Sequence, residues 1–229
     1  MMKTISQGKI FLSDQRGVVE NKNLRRYCSF NFEAFNNPAK EAVGSLYALH
    51  DDLLAPNASL GFYTQEKGYI IVLPITGTVN YFDEKENETD IEVGECLMVF
   101  AEKNSFIKLK NPYYDDLISY LFIGIKDGET QPFSPHFFNV DLSEVNQLKP
   151  VNHNTFPFQL NLGHFHARGE CKYALNQQSL SYLFVLSGAF EVEGRLLHER
   201  DGIALWDTAE IEIEALSHNA VILMIALAI

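Results

Sequence analysis

The chain has 229 residues, of which 46% are hydrophobic and 21% charged, with 14 Gly and 8 Pro. That length allows one large domain or two small ones, and the ordinary apolar fraction excludes a disordered or fibrous chain. The formal net charge is −12, from 30 acidic and 18 basic residues, so phosphate backbones and anionic lipid are repelled and neither nucleic acid nor membrane is an expected partner. Three separated cysteines, Cys28, Cys96 and Cys171, show no C-x-x-C spacing and read as reduced thiols. The first residues carry no apolar signal-peptide region. The longest uncharged apolar run, 220–229, falls short of the roughly 18 residues a spanning helix needs. A cytoplasmic protein is expected.

In chain order, the pattern predicts a helical turn or two over 38–49, and His50-Asp51-Asp52 beyond it offers a possible carboxylate–histidine cluster, with a solvated turn as the expected alternative. Short runs rich in Val, Ile, Leu, Phe and Tyr at 69–75, 96–100 and 118–125 have the length of buried strands. Between them, Phe106-Ile107-Lys108-Leu109-Lys110 alternates, so Ile107 and Leu109 share the inward face. Asp115-Asp116 reads as a turn into the strand that follows. Four of the eight prolines (Pro132, Pro135, Pro150 and Pro157) lie in 127–157, which reads as a connector with a short helix at 143–148. Beyond it, 182–186 and 221–229 read as buried strands and 211–215 as an alternating one, with a solvated hairpin at His198-Glu199-Arg200-Asp201. The chain is predicted to be mostly β.

A weak internal repeat divides it. Tyr69-Ile-Ile-Val-Leu-Pro-Ile-Thr-Gly77 is echoed by Tyr182-Leu-Phe-Val-Leu-Ser-Gly188, and the strand starts near Gly94 and Gly202 correspond in turn. A glycine after each first strand supplies a turn conformation that a Cβ penalises. Two similar β-barrels fit this better than one large sheet.

At these residues the sequence resembles the pirin family, bicupins with two jelly-roll barrels. The resemblance runs through Tyr27-Cys-Ser-Phe-Asn-Phe32, Leu53-Leu-Ala-Pro56-Asn-Ala-Ser-Leu-Gly61-Phe, Ile75-Thr-Gly77 and Ile91-Glu-Val-Gly94-Glu, and it takes in a second cupin over 160–227. It implies an N-terminal cupin over 1–127, a connector over 128–157 and a C-terminal cupin over 158–229. It also implies an iron site in the first barrel, formed by a His-x-His pair and a His-x-Glu pair. Gap-free counting places those four ligands on Tyr63, Gln65, Ile107 and Leu109. Phenol and amide are poor substitutes for imidazole, and Ile and Leu cannot bind metal. The expected N-terminal pocket is therefore an apolar cup formed by these four residues, without a metal.

His164-Phe165-His166 is the one His-x-His in the chain. On a strand both imidazoles would face one side, but no His or carboxylate pair follows at matching spacing. Aligned on Gly188, the corresponding positions of the second barrel fall instead on Ala174 and Asn176. Surface or rim histidines are the expectation, and a metal site the alternative. No nucleophile elbow, P-loop or Gly-x-Gly-x-x-Gly is present, and Cys96 reads as a buried structural thiol. The leading reading is a pirin-like bicupin without cofactor, binding a small molecule or a protein partner. Its rival is a quercetinase-type dioxygenase holding iron at His164 and His166 or at another non-standard site. A third reading makes the second barrel a closure for the first.

Overall fold

A computed structural model describes residues 6–32, 35–83, 85–129, 134–153, 155–175 and 179–228. In chain order the strands are β1 (Gln7–Phe11), β2 (Gly17–Glu20), β3 (Leu24–Cys28), β4 (Leu46–Leu54), β5 (Ser59–Tyr63), β6 (Gly68–Thr76) and β7 (Val79–Phe82). β8 (Glu88–Ile91), β9 (Glu95–Ala101), β10 (Phe106–Lys110), β11 (Ile118–Lys126) and β12 (His136–Asn139) follow. The remainder are β13 (Lys149–Pro150), β14 (Phe158–Phe165), β15 (Glu170–Ala174), β16 (Ser179–Ser187), β17 (Phe190–Val192), β18 (Arg195–Leu197), β19 (Gly202–Trp206), β20 (Glu210–Ala215) and β21 (Ala220–Ala228). One 3-10 turn, Ser13–Gln15, is the helical element among the described residues. No helix there is long and apolar enough to cross a membrane. The expected helices are absent: residues 38–40 form a turn, β4 begins at Leu46, and 143–148 holds bends and one bridge.

The chain divides into two compact units. One comprises Arg16–Asn139. It pairs a seven-stranded sheet, ordered β12-β9-β6-β11-β4-β3-β2, with a four-stranded sheet, β5-β10-β7-β8. The second unit joins the segment ending at Gln15 to the stretch from Val140 onward. It pairs a six-stranded sheet, β1-β19-β16-β21-β14-β13, with a four-stranded sheet, β15-β20-β17-β18. The two orders correspond strand for strand over ten positions. A division at 127 and 158 differs from the observed one twice: the expected connector is split between the units after Asn139, and the chain start belongs to the second unit, because β1 pairs with β19 from Gln7↔Trp206 to Phe11↔Gly202. In the first unit that edge position is taken by β12, against β9.

The glycine repeat holds. Gly77 follows β6 with φ +73° and Gly188 follows β16 with φ +79°, each turning the chain into the small sheet. Gly94 also has positive φ, at +94°. Gly202 opens β19 and serves a different need, since a Cβ there would meet the Tyr182 hydroxyl at 2.1 Å.

Each unit encloses its own core. In the first, Ala48, Ile70, Val72, Leu97, Val99, Ile107, Leu109, Tyr120 and Phe122 are buried together. In the second, Phe165, Leu183, Val185, Phe190, Ile203, Ile213, Ile222 and Met224 are. The period-two alternation selects these residues, and each large apolar side chain removed from water contributes about 1.5–3 kcal/mol relative to exposure.

Candidate functional site

The inward face of β4 is not wholly apolar. Ala48 and Leu54 belong to the core, and His50 and Asp52 share their parity. Residues opposite one another in an antiparallel ladder share a face. Arg26, Asp52 and Tyr120 therefore form one row across β3, β4 and β11, and Cys28, His50 and Phe122 form the next.

Arg26 donates from Nε to Asp52 Oδ1 at 2.8 Å and from Nη2 to Oδ2 at 2.6 Å. This bidentate geometry is the strongest an ion pair adopts. Both partners are buried, Asp52 completely. Burial opposes the guanidinium charge, but the hydrogen bond and charge of Asp52 raise Arg26 above its ordinary pKa. The guanidinium also lies over the rings of Phe32 at 5.3 Å and Phe122 at 5.8 Å. Tyr120 sits close enough to feel the Asp52 charge. Burial first, and that charge second, push its phenol well up, while its hydroxyl lacks a well-formed hydrogen bond.

His50 is 1% exposed and lies between two rings: Phe32 meets it edge-on at 4.3 Å and Phe122 stacks at 5.5 Å. Neither ring nitrogen has a hydrogen-bond partner. Burial, reinforced by Arg26, holds its pKa well below the usual value, so the imidazole is neutral. Asp51, of opposite parity, pairs with Arg16 at 3.1 Å. The solvated turn expected at His50-Asp51-Asp52 is thus a buried mid-strand segment. Its clue in the sequence was Arg26, whose cation could match a carboxylate, but their pairing is set by register across 26 residues.

The four counted ligand positions do not come together. Ile107 and Leu109 are buried, facing inward as expected. Tyr63 is 66% exposed and packs outside against Phe106, with ring centroids 5.3 Å apart. Gln65 is exposed in a bend. The inward positions of β5 are Leu60 and Phe62, opposite Leu109 and Ile107, and beyond the strand Thr64 is buried, bonded to the Glu102 carbonyl. A count that is wrong by one residue reverses the face of a strand. The correction removes Tyr63 and Gln65 from the barrel interior and leaves that wall apolar.

The comparisons with known proteins agree with this architecture. Residues 157–227 match the profile of the quercetinase C-terminal cupin domain. YhhW from Escherichia coli superposes with a TM-score of 0.84 at 17% identity, over 96% of this chain and 97% of that one. The chain has the two-barrel fold of that protein, with a cupin domain over 157–227. The bacterial pirin YhhW in complex with nickel(II) aligns equally well, with a TM-score of 0.84 at 16% identity over 97% of this chain and 99% of that one. A quercetin 2,3-dioxygenase from Acinetobacter baumannii gives 0.69 at 15% identity, over 96% and 79%. No curated protein matches the sequence significantly.

A metal such as that nickel needs several donors converging on one point. Among the described residues of this chain, no three His, Cys, Asp or Glu side chains do so. His50 and Asp52 share the inward face of β4, but both carboxylate oxygens are held by Arg26, whose positive charge would oppose a cation. The donor set does not fit the group. His164 is half-buried at the end of β14, and His166 is exposed just past it, the ring centroids 5.8 Å apart. Asn146 ties this corner down, donating its N–H to the His164 carbonyl and accepting from the His166 N–H. Ala174 ends β15 with its side chain exposed, and Asn176 lies outside the described residues. All three cysteines are free; Cys96 is buried, its pKa pushed up to about 12 by burial.

Proposed function

We propose that this pirin-like bicupin is a metal-independent binding module whose N-terminal barrel takes a small organic molecule. The observation that carries the reading is His50, a neutral imidazole buried between two phenyl rings with both nitrogens unpartnered. Buried polar atoms of this kind are normally paired, and an unpaired set marks a place where a guest supplies the missing bonds. The aromatic walls suit a flat body, and the internally neutral Arg26–Asp52 pair favours no charged guest. The metal positions of the family are read as lost, because Leu60, Phe62, Ile107 and Leu109 offer no donor.

The names of the matched cupin domain and of the Acinetobacter baumannii enzyme support the rival reading, a quercetin dioxygenase. That reading needs a metal for the reaction with dioxygen, and these residues do not assemble one. The protein-docking reading has one observation behind it, the exposed Tyr63 and Phe106 side by side. Calorimetric titration of the full chain with nickel(II) and iron(II) tests the proposal. No saturable one-to-one binding is expected. A variant carrying Leu60→His, Phe62→His, Ile107→His and Leu109→Glu, which points a family-type set inward, serves as the positive control. Tight stoichiometric binding by the parent chain would overturn the reading.

A further inference from the structure

The C-terminal barrel has a polar interior of its own that the N-terminal proposal does not use. Asn161 lies on the inward face of β14 with no exposure, yet its side chain has two long hydrogen bonds. Its Nδ2 donates to the Gln159 carbonyl at 3.5 Å, and its Oδ1 accepts from the Tyr173 hydroxyl at 3.4 Å. Ser181, on the same inward face through β16, is also fully buried, and its hydroxyl has no partner. The ladder sets them one row apart, Leu183↔Met224↔Asn161 beside Ser181↔Ala226↔Gln159. Two strand spacings across and two residues along the strand separate their backbones, roughly 12 Å.

The wall between and opposite them is partly open. Ala226 lies between them, and Cys171, Tyr173 and Leu175 face the same core; all four are partly solvent-accessible. Asn161 and Ser181, which face inward here, are uncharged polar groups. Burial raises the Tyr173 phenol above its usual pKa and keeps it protonated.

We propose that this end of the C-terminal barrel is a binding site for a small uncharged molecule with an amide-like donor–acceptor pair. Asn161 retains one N–H and one carbonyl lone pair, the complement of a primary amide or lactam. Ser181, across Ala226, takes a second hydrogen-bonding group at the far end of a flat molecule. An unpaired hydroxyl costs stability in the free protein, and that cost is recovered when a ligand pairs it.

The probe is 4-hydroxybenzamide, which has the required length and groups, added to the full chain and followed by amide chemical shifts. Saturable shifts confined to the C-terminal barrel in the millimolar range are expected, with 4-hydroxybenzoate weaker. Ser181→Ala should weaken binding about fivefold or more while leaving the free protein as stable or more so. Asn161→Asp is the second variant and should weaken the benzoate further, because the new carboxylate repels the anion. No saturable shift, shifts elsewhere, equal affinity in Ser181→Ala, or benzoate binding better than the amide would each overturn the proposal. So would a crystal grown with the probe that shows water alone beside Ser181.

Discussion

Asn161 holds in the C-terminal barrel the place that His50 holds in the N-terminal one. His50 pairs with Phe122, which pairs with Val72, five residues before Gly77. Asn161 pairs with Met224, which pairs with Leu183, five residues before Gly188. At the centre of each barrel the same strand position therefore carries a buried polar side chain with incomplete hydrogen bonding. The two barrels differ in what surrounds it: an ion pair and phenyl rings in one, uncharged polar and small groups in the other.

The buried imidazole makes stability depend on pH. The folded protein holds His50 neutral to well below its ordinary pKa of 6.5, while the unfolded chain protonates it there. Above about pH 6.5 both states are neutral and no penalty arises. As pH falls below it, the unfolded state binds the extra proton, and stability drops by about 1.4 kcal/mol per pH unit until the folded pKa is reached. Urea unfolding of the parent and His50→Phe from pH 8 to pH 5 isolates this slope, which should appear as the difference between the two. Parallel curves would contradict the burial of a neutral imidazole.

Arg26→Leu leaves the Asp52 carboxylate buried without its partner and should destabilise by about 3–5 kcal/mol. Arg26→Leu combined with Asp52→Leu removes both charges and should recover much of that loss. Denaturant midpoints of the two single variants and the double variant give the coupling energy. Additive effects would mean that the pair does not act as a unit.

Gly77→Ala and Gly188→Ala test the repeat. At Gly77 a Cβ would meet Ile118 Cγ2 at 2.6 Å, and at Gly188 it would meet Ser217 Oγ at 2.3 Å, both at positive φ. Each change should cost about 1–3 kcal/mol, measured by thermal unfolding. A neutral effect at either site would break the equivalence of the two turns.

His164 and His166 lie at the rim of their barrel and gather no further donors among the described residues. Replacing both by Gln should change stability by less than about 1 kcal/mol and leave any metal content unaltered. Loss of a bound metal in the double variant would restore them as ligands.

The sequence revealed what local pattern controls. Continuous apolar runs became β6, β9, β11, β16 and β21, and the alternation at Phe106–Lys110 became β10 with Ile107 and Leu109 inward. The glycines at 77 and 188 marked the repeat because positive φ is a local demand. Features set by distant register stayed hidden. β1 was not predicted, and its pairing with β19 joins residues about 200 positions apart, from Gln7↔Trp206 to Phe11↔Gly202. His50 and Asp52 read as a turn because their burial rests on Arg26 of β3, Phe122 of β11 and Phe32 of the segment after β3. Tyr63 was placed inward by a count that missed the true parity of β5 by one residue. Ser181 carries no signal in sequence at all, since a serine within an apolar strand is unremarkable until its hydroxyl proves unpaired.

The central claim, binding without a metal, is tested most directly by elemental analysis of the full chain purified from medium supplemented with iron, manganese and nickel. The account predicts far less than one metal per chain, unchanged in His50→Phe. One equivalent of a divalent metal per chain, held in the N-terminal barrel, would contradict it.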